Sequence, residues 1–462
     1  MTPGPLGEPD VVTRLRAALG ERVSTATAAL DAMRADKSAH RAAGLPLAVV
    51  HAESVADVQC TLQIATETRT PVVTRGAGTG AAGAATAGRG EIALSTLRMN
   101  RLLEVAPQDR FAVVEPGIIN AHLNRELAEH GLWWPPDPAS KDSATVGGNI
   151  ATGAGGLLCA KYGTVRGAVR GLDVVLPDGR LIRTGHRSIK GESGLDLTSL
   201  LIGSEGRLGV IVAATLDLQP VRRGGMSTVT AEFENIDAAA TACAEVLAEG
   251  IRPAIAELMD HHCVAAARGV LGIPVAGETG AHLTVQTDGP DHEREASRIA
   301  TIMDLAGAAV RLATDSAEGE AMLELRRSVQ PGLERLGPTL VEDVSVPLSA
   351  MAPMFAEISR IEAAYDVVIP TVAHAADGNL HPNFLLPVDS PDGAVPEEIW
   401  TASEDLFRSA LRLGGTLTGE HGVGVLKRQW LPAELGEDQL EIQRGIARVF
   451  DPLGIMNPGK VF

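Results

Sequence analysis

Histidine occurs only 12 times in 462 residues, yet two fall seven residues apart in HAADGNLHPNF, as His374 and His381. Imidazole binds transition metals and, near neutral pH, accepts protons. In one straight strand an offset of seven would put the rings on opposite faces. The intervening Asp377-Gly378-Asn379 has turn chemistry. The strand VVIPTVAH should therefore end at His374, and a return strand, LHPNFLL, should start at His381. That turn would bring both rings to the mouth of a hairpin. The pair could serve as metal ligands or as hydrogen-bonded loop histidines. GEHG at 419–422 tips the balance by adding a carboxylate, Glu420, beside another imidazole, His421. His374, His381 and Glu420 make a two-His, one-carboxylate set, and three protein ligands leave positions open for a substrate. Zn and Mn both suit such donors.

Glycine supplies a second kind of chemistry. The strand PVVTR runs into GAGTGAAGAATAG, which contains a G-x-G-x-x-G match at Gly78, Gly80 and Gly83. The Rossmann arrangement needs a helix directly after these glycines and an acid ending the next strand. Only seven residues separate Gly83 from Glu91, where the next strand begins, and IALSTLR ends without an acid. The Rossmann reading is therefore set aside. A loop without Cβ atoms still lets backbone N–H groups point at phosphate oxygens. Two further small-residue segments follow, PPDPASKDSATVGGNIATGAGG at 135–156 and IGSEGRLGVI at 202–211. Three such loops suit a long ligand lying against exposed backbone, and a dinucleotide is long enough.

The elements carrying these loops alternate short strands and helices. Residues 10–35 read as helix, in two runs (DVVTRLRAALG, VSTATAALDAM). PLAVVHA at 46–52 reads as strand, and SVADVQCTLQIATETR at 54–69 as an amphipathic helix capped by Ser54. Short β runs follow, and Asp178-Gly179 marks a hairpin. Pro220 and RRGG at 222–225 look like a boundary, beyond which the pattern is α+β. The formal charge of −18 argues against nucleic acid or an anionic membrane as partner. Four scattered cysteines without a CxxC argue against a zinc ribbon or an iron–sulfur cluster and fit reduced thiols in the cytoplasm. The N-terminus does not read as a signal peptide, and no apolar run is long enough to span a membrane.

Taken in order, PVVTRGAGTG, PPDPAS, TVGGNIATGAGG, GSEGRLGVI and NPGKVF resemble the FAD-binding motifs of the vanillyl-alcohol-oxidase/PCMH flavoprotein superfamily. HAADGNLHPNF with GGTLTGEHGVGVLKRQWL narrows the likeness to FAD-linked D-2-hydroxyacid dehydrogenases, the branch of D-lactate dehydrogenase, the glycolate oxidase catalytic subunit and D-2-hydroxyglutarate dehydrogenase. The match runs over about residues 40–462. The resemblance implies an α+β fold with a PCMH-type FAD-binding domain at 41–220 after an N-terminal helical segment, 1–40. A cap domain at 221–415 and a C-terminal segment, 416–462, that returns to the flavin complete it. It implies that Arg75, Gly76, Ala77, Gly78, Thr79 and Gly80 form the pyrophosphate loop. Pro138, Ser140, Thr145, Gly148, Asn149, Gly153, Glu205, Gly206, Gly209, Ile211 and Asn457 would line the flavin. Some relatives attach flavin through a histidine in the first loop; TRGAGTG has none, so the FAD should be dissociable.

In that family the positions of His374, His381 and Glu420 are metal ligands, and His421 lies by the substrate hydroxyl. The chemistry needs such a set. Oxidising a 2-hydroxy acid moves hydride from Cα to flavin N5, and the hydroxyl proton must leave. A divalent ion on that hydroxyl lowers its pKa, and a neutral His421 can take the proton. Asn383 and Asp377 are candidate supports of the ligands, though Asp377 could serve only the turn. ELRRSVQPGLERLGP offers Arg326 and Arg327 for the substrate carboxylate, and the family pattern of Arg followed five residues later by Pro favours Arg326. Relatives acting on 2-hydroxyglutarate carry Lys where this chain has Val341, so the expected substrate is a small D-2-hydroxy acid of the D-lactate kind. Alternatives are a glycolate oxidase catalytic subunit with partner chains, a D-2-hydroxyglutarate dehydrogenase, a metal-dependent hydrolase and a flavin-binding subunit without catalysis. The electron acceptor would be a quinone, a cytochrome or an electron-transfer flavoprotein. A homodimer and a peripheral membrane association of the cytoplasmic protein are left open.

Overall fold

The computed structural model describes residues 8–38, 40–222, 224–274, 280–387 and 395–462. It divides into two units. The first holds the chain up to Gly155, Gly163–Val221 and Glu420–Phe462; the second holds Gly156–Tyr162 and Arg222–Gly419.

Two sheets build the first unit. In one, the strands lie in the order Val23–Ser24, Ala48–His51, Ile92–Ser95 and Val72–Arg75, the last three parallel. The helix Val55–Thr68 makes the crossover, and the Ser54 hydroxyl accepts from the Asp57 N–H at its start. Its Val58 and Leu62 share a core with Leu15 and Leu19 of the N-terminal helix Glu8–Leu19. The run 23–33, expected as helix, is split. Val23 is buried in this core, Val23–Ser24 pairs as a strand, and the helix runs only over Thr27–Ala32. The other sheet is antiparallel, in the order Leu102–Ala106, Phe111–Val114, Val210–Asp217, Val169–Val175 and Leu181–Gly185. The expected hairpin is there: Val175 pairs with Leu181, and Gly179 takes φ 84° in the turn. No helix lies between Arg75 and Ile92, as the rejection of the Rossmann arrangement requires. The C-terminal segment joins this unit through backbone: Val72 donates to Ile455 and accepts from Asn457, each at 2.8 Å.

The second unit is built on one antiparallel sheet. Its main path runs Ala309–Ala313, Gly225–Phe233, Ala281–Gly289, Ile255–Asp260, Thr371–His374, Asn379–Leu385 and Thr339–Val341, and Val344–Ser345 also pairs with Asn379–Leu385. Strand alternation sorts its faces. Val229, Ala231, Leu283, Val285, Ala256, Leu258 and Ala373 lie on one face and are buried apolar residues. The opposite face carries Thr230, Thr284, Glu257 and His374 in one cross-strand row. Met259 and Val372 on that second face pack against Cys263, Val264 and Ala267 of the helix His261–Leu271 and against Val329 and Leu333 of Val329–Leu336. A polar row is thus buried beside an apolar cluster, and every charge in it needs a partner.

Candidate active site

In the first unit the strand Val72–Arg75 delivers the chain into the first glycine loop. Gly76, Ala77, Gly78, Thr79 and Gly80 line a cavity together with Pro138, Ser140, Thr145, Gly148 and Asn149. A second cavity shares Gly76, Gly148 and Thr152 with the first and continues past Glu205, Gly206, Gly209 and Ile211. Close packing explains several glycines. A Cβ on Gly76 would stand 2.3 Å from Thr145 Oγ1, the atom that caps the helix Val146–Thr152 by accepting from Gly148 N–H. A Cβ on Gly147 would stand 2.4 Å from Pro116 Cβ and 2.9 Å from its Cα. The proline ring cannot move aside, so Gly147→Ala should cost about 1–3 kcal/mol of stability. Thermal denaturation of the apoprotein measures this, and an unchanged midpoint would contradict it.

Three predicted flavin residues stand outside the cavity lining. Arg75 is buried, and its Nη1 donates to the Ala85 carbonyl at 2.9 Å, bracing the loop from within. Gly153 closes the helix Val146–Thr152 at φ 70°. Asn457, at φ 44°, donates to the Ala84 and Glu205 carbonyls at 3.0 and 2.7 Å. Glu205 itself has φ 49°, and its carboxylate accepts from Val423 and Gly424 N–H at 2.8 and 2.9 Å. Burial pushes its pKa up to about 7, against those two donors, which lower it. Glu420 and His421 line the first cavity too, with Glu420 Oε1 3.9 Å from His421 Nε2. Thr74 Oγ1 and Asn149 Nδ2 are buried at the cavity walls without a partner among the described residues. Such atoms call for a polar ligand, and a dinucleotide fits the small-residue walls.

In the second unit the histidine hairpin differs in detail from expectation. The return strand begins at Asn379, not His381, and the turn is Ala375–Gly378, with Gly378 at φ 85°. Asp377 Oδ1 accepts from Asn379 N–H, the turn role. His374 pairs with Asn379 and His381 with Val372, so the two histidines are diagonal neighbours on one face. Their ring centroids are 5.0 Å apart, edge to face. Asn383 donates to the His381 carbonyl at 2.8 Å and to Pro370 at 3.1 Å, fixing the strand that bears His381.

Glu257, which the motif reading missed, lies directly opposite His374 in register. Its Oε1 accepts from His374 Nδ1 at 2.6 Å and its Oε2 from Arg326 Nε at 2.7 Å. Burial alone would raise its pKa, but His374 and Arg326 outweigh that and hold it below the usual carboxylate range. The one signal in sequence is an acid inside an otherwise apolar strand, AIAELM. With Nδ1 carrying the proton, His374 presents Nε2 as its lone-pair nitrogen, the orientation of a metal-binding imidazole.

Comparison with known proteins bears on both units. Residues 46–185 match the family model "FAD binding domain", and residues 225–461 match "FAD linked oxidases, C-terminal domain". The chain belongs to the FAD-linked oxidases. This flavoprotein is 38% identical over 422 residues to the glycolate oxidase subunit GlcD of Bacillus subtilis, covering 90% of this chain and 89% of that one. It is 36% identical to the D-lactate dehydrogenase of Archaeoglobus fulgidus, covering 89% and 90%, and 30% identical to that of Anaerostipes hadrus, covering 98% and 97%. Among solved structures, p-cresol methylhydroxylase with substrate bound superposes with a TM-score of 0.81 at 18% identity, over 99% of this chain and 97% of that one. The fold is therefore the PCMH type, and the flavoprotein is an FAD-dependent oxidoreductase of the D-lactate dehydrogenase and GlcD kind. Among the described residues no helix is long and apolar enough to cross a membrane.

Proposed function

We propose that this flavoprotein oxidises a small D-2-hydroxy acid, D-lactate or a close analogue, with a divalent ion, Zn or Mn, held by His374, His381 and Glu420. The observation that carries this reading is the imidazole pair on one sheet face, with His374 Nδ1 tied to Glu257. Glu420 follows Gly419 by one peptide bond, and Gly419 packs so closely on Asn379 that a Cβ would stand 2.3 Å from Asn379 Oδ1. Bound FAD supplies the hydride acceptor. His421 takes the hydroxyl proton, and Arg326 receives the substrate carboxylate through its Nη groups, which have no protein partner among the described residues. Names of relatives support the substrate class: D-lactate dehydrogenases stand at 36% and 30% identity.

The GlcD of B. subtilis, at 38%, favours glycolate as a second reading, with partner chains completing the enzyme. Anaerobic addition of D-lactate, L-lactate and glycolate separates the two. D-lactate should bleach the visible flavin absorbance and L-lactate should not. Rapid bleaching by glycolate alone would replace the first reading with the second. The FAD should be held without a covalent bond, because the loop Arg75 to Gly80 carries no histidine. Acid precipitation should leave the yellow colour in the supernatant; a yellow pellet would contradict this.

A further inference from the structure

We infer that Glu257 is a positioning residue that couples metal binding to recognition of the substrate carboxylate, because one buried carboxylate orients both His374 and Arg326. The inference rests on the metal reading above. Glu257 is 1% exposed and uses one oxygen for each partner. Its placement is set by backbone, since Glu257 and His374 are cross-strand partners between Ile255–Asp260 and Thr371–His374. A charged carboxylate at such depth must keep its partners, so the three side chains form one unit.

The two arms do different work. Through Oε1, Glu257 holds the proton on His374 Nδ1 and keeps Nε2 as the metal donor. Through Oε2, it engages the Nε–H of Arg326, which lies in the last turn of the helix Ser316–Arg327. An arginine held at Nε has its guanidinium plane fixed, and the Nη edge stays turned to a carboxylate. A glutamine cannot serve both arms. Its amide offers one acceptor and one donor to two N–H groups, so either His374 or Arg326 loses its support.

The test uses full-length protein stripped of metal by a chelator and dialysed against Zn²⁺. Glu257→Gln should weaken Zn²⁺ binding by about 10–100-fold and raise KM for D-lactate at saturating metal. Arg326→Lys should raise KM and leave Zn²⁺ affinity unchanged. A wild type that binds no Zn²⁺ and no Mn²⁺ overturns the metal reading itself. A wild type that binds metal, beside a Glu257→Gln variant of equal affinity, overturns the positioning role alone. Weaker Zn²⁺ binding with unaltered KM overturns the coupling to Arg326. Where Glu257→Gln does not fold, Glu257→Asp keeps the charge and withdraws the oxygens by one methylene. It should show the same two losses, and wild-type values for both would overturn the inference.

Discussion

His374→Ala should lower turnover on the order of 10³-fold or more while the protein stays yellow, and Glu420→Ala should do the same. An unassisted alcohol is a very weak acid at neutral pH, and a divalent ion on its oxygen is worth several kcal/mol of charge stabilisation. Each 1.36 kcal/mol is a factor of ten in rate, so loss of the ion costs thousands-fold. FAD retention is expected because His374 belongs to the sheet of the second unit, and the loops that line the cavities belong to the first. Elemental analysis should find less than one equivalent of divalent ion in both variants. Full turnover by wild-type enzyme after exhaustive chelation would sink the proposal. In His374→Ala the Glu257 carboxylate keeps only Arg326, so some thermal stability is lost as well.

Wild type should prefer D-lactate to D-2-hydroxyglutarate by on the order of 10²-fold in kcat/KM. A carboxylate on the substrate tail would have to leave water, and without a cation that costs several kcal/mol. Val341 pairs with Asn383, and Asn383 lies two residues along the strand from His381, so all three side chains share one sheet face. Valine there can touch an alkyl tail but cannot neutralise a charge. Of the other arginines on these helices, Arg327 is exposed and paired with Glu320, and Arg335 donates to the Gly269 carbonyl. Val341→Lys should therefore move the preference toward D-2-hydroxyglutarate and D-malate. Rates across this panel for both proteins decide the matter. A wild type that already favours D-2-hydroxyglutarate shows that Val341 does not set tail length.

Local chemistry was the readable part of the sequence. Ser54 announced a helix start, Asp178-Gly179 a hairpin and Asp377-Gly378 a turn, because each signal lies within a few residues of the element it controls. The small-residue loops that line the cavities were legible for the same reason, since runs of small residues expose backbone wherever they fold. What failed depended on pairing. Val23–Ser24 looked helical until its strand partner, Val49–Val50, was known. The histidines were expected to converge across a turn, and they do; the register that makes them diagonal neighbours on one face was not legible. Glu257 is 117 residues from His374 and was invisible, because no local pattern records which strand lies beside which.

The first unit is interrupted, and its final stretch, from Glu420 onward, leaves the ribosome after the whole second unit. Until then the edge of Val72–Arg75 lacks Ile455 and Asn457, and Glu205 lacks the N–H groups of Val423 and Gly424. Growing chains therefore carry an open strand edge, a liability for aggregation. Closing that gap joins residues hundreds of positions apart, a slow search by the logic of contact order. The bracing that Asn457 gives to Ala84 and Glu205 is thus among the last contacts each molecule can make, and a chain cut short before Asn457 goes without it.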